Sequence, residues 1–427
     1  MVLWGFYALL AYMPFHIFLS QSLSLATGGL AAWKGAKDVF TLGLVVLAVV
    51  LVWYRRRSSR LFNILVGLAV VYGGLHLVIW AAHPSIYSES ALIGTVYNNR
   101  LLWYLLIGTG AGLLWSKRLV HSSVMRTVLV LSTLVCLLGI VQYFLLSFGS
   151  WDVLSHLGYS LERGARSAFF IDDKPDLPRI MSTLRDPNSL GAFLILPITM
   201  LVYKLVYSPP IRRTLLIGLL GLHGLALFLT FSRSAWAGTL ISVAVVMLFY
   251  ARAKTKQLIL LYWPLVLGLI VAVGIVGFML RDQYTVQNII SHSDENTTAQ
   301  FDSNEFHLEY ARRGADSIAD EPFGNGPGTA GLASIQNPSG GFLTENFYLQ
   351  IGYEVGVFGL MVFVAVLALV YGSLLKAGGP LAYALIGGFW GYAFVNLLLH
   401  TWSNEAVAAQ WWLLAGLVLA SNQTKKV

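Results

Sequence analysis

One cysteine in 427 residues leaves no room for a disulfide framework or a thiolate metal cluster. That residue, Cys136, lies in an apolar stretch and reads as packing. Charge is also scarce, at 11% of residues against 57% hydrophobic, too little to coat a soluble protein of this length. No repeat of fixed period, heptad array or low-complexity tract is present, which excludes a solenoid and a coiled coil. No histidine pair has zinc spacing such as HExxH, so no metal is expected, and His292 near Asp294 is a weak cue. The run Gly324 to Gly331, GNGPGTAG, has no strand before it and no Gly-Lys-Ser or Gly-Lys-Thr after it. Both features argue against a nucleotide loop, and the run reads as a mobile turn able to close over a substrate. No cofactor is expected.

What the chain has instead is long apolar runs, near residues 2–20, 36–54, 61–82, 100–116, 124–149, 188–207, 213–231, 235–251, 258–280, 346–373, 380–400 and 405–421. About 20 apolar residues cross a bilayer as a helix. Backbone groups in lipid must bond within their own segment, so each run is read as a helix. The expected fold is an all-α integral membrane protein with about twelve transmembrane helices. Residues 1–20 lack a basic leading segment and a small-residue cleavage site, and read as an uncleaved first helix.

Basic residues set the orientation. With the N-terminus in the cytoplasm, Arg55, Arg56, Arg57, Arg60, Lys117, Arg118, Arg126, Lys204, Arg212, Arg213, Arg252, Lys254 and Lys256 all fall inside. The 20 acidic residues fall outside or at outer helix ends. Both termini are then cytoplasmic, and the net charge of +8 reports topology and gives no reason to expect nucleic acid. One polytopic domain, 1–427, carries two long outer-face loops, 150–187 and 281–345. Loops of that length are usually functional. In the second, Asn304 to Asp320 pairs Glu309 with Arg312 and Arg313 at helical spacing and reads as a short surface helix ended by Pro322.

Three constellations can carry chemistry. In RIMSTLRDPNSLGAFL (Arg179–Leu194), Asp186 before Pro187 reads as a helix N-cap, with Arg179 and Arg185 placed to cradle phosphate oxygens beside it. Anchoring of a helix end at the interface is the competing reading. In LTFSRSAW (Leu229–Trp236), Arg233 sits at membrane depth between two runs, flanked by Ser232, and is functional by default or else structurally paired. In TENFYLQIGYEVGVFGL (Thr344–Leu360), Asn346, Gln350 and Glu354 form one polar stripe with Glu345 at its mouth. A carboxylate there can act as a base or pair with an arginine, and Gln350 reads as polar glue between helices. The histidines His83, His156 and His400 read as surface or core residues, with His307 as a reserve base.

Taken in order, DPNSLGAFL behind Arg179, then LTFSRSAW, EPFGNGPGT and ENFYLQIGYEVGVFGL, this pattern resembles the bacterial O-antigen ligase and O-antigen polymerase superfamily over roughly residues 179–363. The resemblance implies a glycosyltransferase-C-like membrane fold in the bacterial cytoplasmic (inner) membrane. It implies an undecaprenyl-diphosphate-linked glycan donor, a glycan or lipid acceptor, membrane lipids as surroundings, and a site facing the periplasm or cell exterior. It also implies that Arg179 and Arg233 hold the diphosphate. With it come Arg185, Asn188, Ser232, Asn346 and Glu354 as substrate-binding residues and Glu345 as the candidate base. Ligases of the family usually have histidine where Glu345 stands, so Glu345 as base, a base elsewhere, and a polymerase-like branch all stay open. The segment from Arg281 to Thr344 is expected to form a lid, and Phe342, Phe347 and Tyr348 to stack on sugars or anchor at the interface. A transporter or flippase of polysaccharide or lipid-linked oligosaccharide is the alternative function. A non-catalytic scaffold is the third.

Overall fold

The structure, a computed structural model, describes residues 1–115, 117–149, 151–171, 174–251, 303–338 and 341–423. Every apolar run except 258–280, which lies outside these residues, falls on a helix. The first run is α1 (Val2–Tyr12), passing through a 3-10 turn at Met13–Phe15 into α2 (His16–Thr27). There follow α3 (Leu30–Tyr54), α4 (Arg60–Ala82), α5 (Ser88–Leu114), α6 (Lys117–Gly149) and the single turn α7 (Val153–His156). Beyond a hairpin come α8 (Pro187–Tyr207), α9 (Pro210–Leu229) and α10 (Arg233–Val245), which continues as a π turn at Val246–Tyr250. The described remainder is α11 (Ser303–Asp320), α12 (Phe347–Ala377), α13 (Pro380–Val395) and α14 (Glu405–Gln423). Among the described residues, eight helices are long and apolar enough to cross a membrane, and two shorter apolar helices accompany them. The molecule is an all-α membrane protein apart from the hairpin, β1 (Phe169–Ile171) with antiparallel β2 (Lys174–Arg179), in which Phe169 faces Arg179.

α5 explains where the core sits. It is too polar to count among the eight, because Asn98, Asn99 and Arg100 lie along it, yet almost every residue from Asn98 to Leu113 is buried. Its main partner is α14. Glycine permits that contact: a Cβ at Gly112 would lie 2.5 Å from the Ala420 Cβ, and added carbons at Gly108 and Gly416 would strike Leu413 and Leu105 carbonyl oxygens. Trp402, Trp411 and Trp412 fill the space behind the pair.

Helix limits differ from the apolar runs in one consequential way. α3 begins at Leu30 rather than 36, and α5 at Ser88 rather than 100. Lys37 and Asp38 are therefore about two turns inside α3 and not at its outer end, and Arg100 is in the middle of a helix. The surface helix expected over 304–320 is observed as α11, with an Arg313 to Glu309 ion pair.

Candidate functional site

Arg179 ends β2, and its guanidinium is held by a turn it does not belong to. Nε donates to the Thr230 carbonyl at 3.0 Å, and Nη2 to the Phe231 carbonyl at 3.4 Å and to Asn188 Oδ1 at 3.2 Å. The turn between α9 and α10 takes this shape because Phe231 has φ 49°, a left-handed conformation that costs a non-glycine residue about 1 kcal/mol or more. Thr230 Oγ1 donates to Leu227 O and accepts from Ser232 N, and Trp236 Nε1 donates to the same Leu227 carbonyl. The next residue after Ser232, Arg233, opens α10. α8 lies close enough that a Cβ on Gly191 would meet Ala235 at 2.6 Å.

Asp186 caps α8 as expected, its Oδ1 accepting from Ser189 N and its Oδ2 from Ser189 Oγ, both at 2.8 Å. Burial lowers the pKa of Arg179; Asp186 opposes that shift and the charge of Arg233 adds to it. The Arg233 charge therefore bears on the Arg179 guanidinium near the N-terminus of α8, where the Asp186 carboxylate opposes it. Arg185, grouped with Arg179 by sequence, bears by its charge on Lys34 and Tyr97.

Asn188 links Arg179 to a cavity of about 170 Å³. Asp186, Asn188, Ser189, Glu345, His400 and Asn404 give it polar walls, and Leu332, Leu343 and Leu399 apolar ones. Glu345, in the cavity wall, has φ 50°, a left-handed conformation like that of Phe231 in the turn that holds Arg179. Asn346 is the N-cap of α12, its Oδ1 accepting from Tyr348 N and Leu349 N, and its Nδ2 donating to the Leu397 carbonyl. Side-chain capping thus occupies the amide that the sequence offered to substrate.

Glu354 lies inside the bundle and away from the cavity wall. Oε2 accepts from Asn98 Nδ2 at 2.6 Å and Oε1 from Ala330 N at 3.0 Å. It can do so because α12 breaks at Gly356 (φ 71°) and the glycine run docks into the break. Asn325 N and Gly326 N donate to the carbonyls of Tyr353 and Glu354, and Val357 N donates to Pro322 O. Gly328 continues against α5, where Ser90 Oγ donates to its carbonyl. The expected closing turn is thereby fastened between α5 and α12. Of the proposed stacking rings, Phe347 is fully buried and Phe342 packs between Tyr310 and Tyr353. His292, Asp294 and the lid's first part, 281–302, lie outside the described residues, as does the His307 side chain.

A buried ionic cluster escaped the sequence reading. Arg100 pairs with Asp38 at 3.1 Å and Glu405 at 3.0 Å, Lys37 with the same two carboxylates at 3.0 and 3.5 Å, and His16 approaches Glu405 at 3.5 Å. Its only sequence signal was charge inside apolar helices. Among the described residues, no group of histidine, cysteine or carboxylate side chains is arranged to hold a metal ion.

Residues 218–364 match the family described as O-Antigen ligase. The O-antigen ligase match runs from α9 through the broken part of α12 and takes in Arg233, the docked glycine run, Glu345 and Glu354. It supports the resemblance to the O-antigen ligase and polymerase superfamily, whose chemistry is glycan transfer in polysaccharide biosynthesis on lipid-linked substrates in a membrane. Arg179, Arg185 and Asn188 precede the matched stretch. No curated protein matches the chain.

Proposed function

We propose that the protein transfers a glycan from an undecaprenyl-diphosphate carrier to an acceptor hydroxyl at the outer face of a bacterial cytoplasmic membrane. The observation that carries this reading is the Arg179 guanidinium, held by Asn188 at the wall of a cavity that also holds Glu345 and lying within the field of Arg233. As the carrier leaves, negative charge gathers on its diphosphate, and two preorganised guanidinium groups stabilise that charge without reorganisation. Asn188 fixes the angle of Arg179 and faces the cavity where the sugar would lie. Ser232 shapes the turn that presents Arg233. Glu345 supplies a carboxylate on the acceptor's side, to take a proton or to steady one taken by a neighbour.

The experiment is glycan transfer in detergent by purified full-length protein, wild type against Arg233→Ala at matched monodispersity. Removing one charge-stabilising donor costs about 10²–10³ in kcat. Equal rates for the two proteins would remove Arg233 from the diphosphate site, and transport of a lipid-linked glycan would become the better reading.

A further inference from the structure

His400, a core or surface histidine by its sequence surroundings, lines the cavity with Glu345 and Asn188. Its hydrogen bonds determine which ring nitrogen carries the proton, because the chain behind it has fixed ends. The Tyr72 carbonyl can only accept, so His76 Nδ1, 2.8 Å away, is the donor and His76 Nε2 is an acceptor. Asn98 Nδ2 lies 3.1 Å from that Nε2 and 2.6 Å from Glu354 Oε2, so it is the amide nitrogen and Asn98 Oδ1 accepts. Gln350 Nε2 donates to that oxygen at 3.3 Å, which leaves Gln350 Oε1 to accept from His400 Nδ1 at 2.6 Å. Nδ1 of His400 is therefore the N–H, and in the neutral ring Nε2 carries the basic lone pair.

We propose that His400 is the general base of the transfer, with Gln350, Asn98 and Glu354 as positioning residues that hold its tautomer. This rests on the glycan-transfer reading above. The acceptor oxygen bonds to the anomeric carbon, and the bond from that carbon to the diphosphate breaks with its electron pair passing to the diphosphate oxygen. The hydroxyl proton passes to His400 Nε2. Glu345 and Asp186, in the same cavity, stabilise the imidazolium that forms, and the proton leaves to water with the product. Nε2 is buried in the free protein, so the acceptor hydroxyl reaches it only when its binding opens the cavity wall, and until then water is kept from it as well.

The test compares wild type, His400→Ala, His400→Gln and Glu345→Gln in the same transfer assay, using a lipid-diphosphate-linked glycan and a hydroxyl acceptor. His400→Gln keeps an N–H toward Gln350 but has no basic nitrogen, so it separates catalysis from packing. Both His400 variants should lose about 10²–10⁴ in kcat with the donor KM unchanged, and added imidazole should partly restore His400→Ala. Glu345→Gln should be slowed less. A His400→Gln enzyme at the wild-type kcat would overturn the assignment, as would Glu345→Gln inactive beside active His400 variants. A wild type that transfers nothing with any donor would instead bring down the transferase reading, and this assignment with it.

Discussion

Arg179 makes its three hydrogen bonds through two different nitrogens, to two carbonyls and one amide oxygen, so its fork geometry matters as much as its charge. Lysine keeps the charge but reaches as a single point on a flexible stem. Arg179→Lys should therefore leave the buried Thr230 carbonyl and the partly buried Phe231 carbonyl without their donor, at about 1–3 kcal/mol, and cut kcat/KM for the lipid-linked donor by roughly 10- to 100-fold. Transfer kinetics beside thermal unfolding in detergent would check both. At this scale the sequence was informative where the chemistry is local. Asp186 before Pro187 gave the cap, and Arg233 between two apolar runs marked the turn. It could not tell which neighbours Arg179 and Arg185 would meet, because six residues of chain fix no direction once a strand has ended.

The break in α12 belongs to the scale of elements. Helical spacing had placed Asn346, Gln350 and Glu354 on one stripe, and they do share the helix, but the stripe is divided among a cap, a relay and a buried anchor. The division follows from Gly356, whose φ of 71° interrupts the ladder and admits the glycine run. An alanine there would be strained, and its Cβ would lie 2.5 Å from the Phe323 carbonyl carbon. Gly356→Ala should cost at least about 1–3 kcal/mol of stability. Transfer should fall as well, because the segment carrying Glu345 and Gln350 would shift. Unfolding and transfer measured on one preparation would show whether the two effects move together. A run of glycines advertises backbone freedom in sequence. Whether that freedom serves motion or tight docking depends on a partner groove, formed here by α5 and α12, that local sequence does not show.

For the whole molecule, the cluster of Arg100, Lys37, Asp38 and Glu405 ties α3, α5 and the start of α14 together. Removing one partner of a buried pair leaves the other charge uncompensated, at about 3–5 kcal/mol. Arg100→Met should lower resistance to thermal unfolding by that order. Arg57→Met, on an exposed turn, should leave it unchanged; equal behaviour of the two would mean that the cluster adds no stability.

The sequence by itself determined that this is a helical membrane protein, because runs of apolar residues and the need to pair backbone groups in lipid leave few other solutions. It also marked the arginines and the polar stripe, since polar groups in apolar surroundings stand out one residue at a time. Tertiary structure decided which of them meet. The hold of the Thr230 and Phe231 carbonyls on Arg179 and the hydrogen-bond chain from Glu354 to His400 both join segments far apart in the chain. So does the union of Arg100 with Asp38 and Glu405. Such meetings follow from the crossing of whole helices, and no periodicity within one helix encodes them.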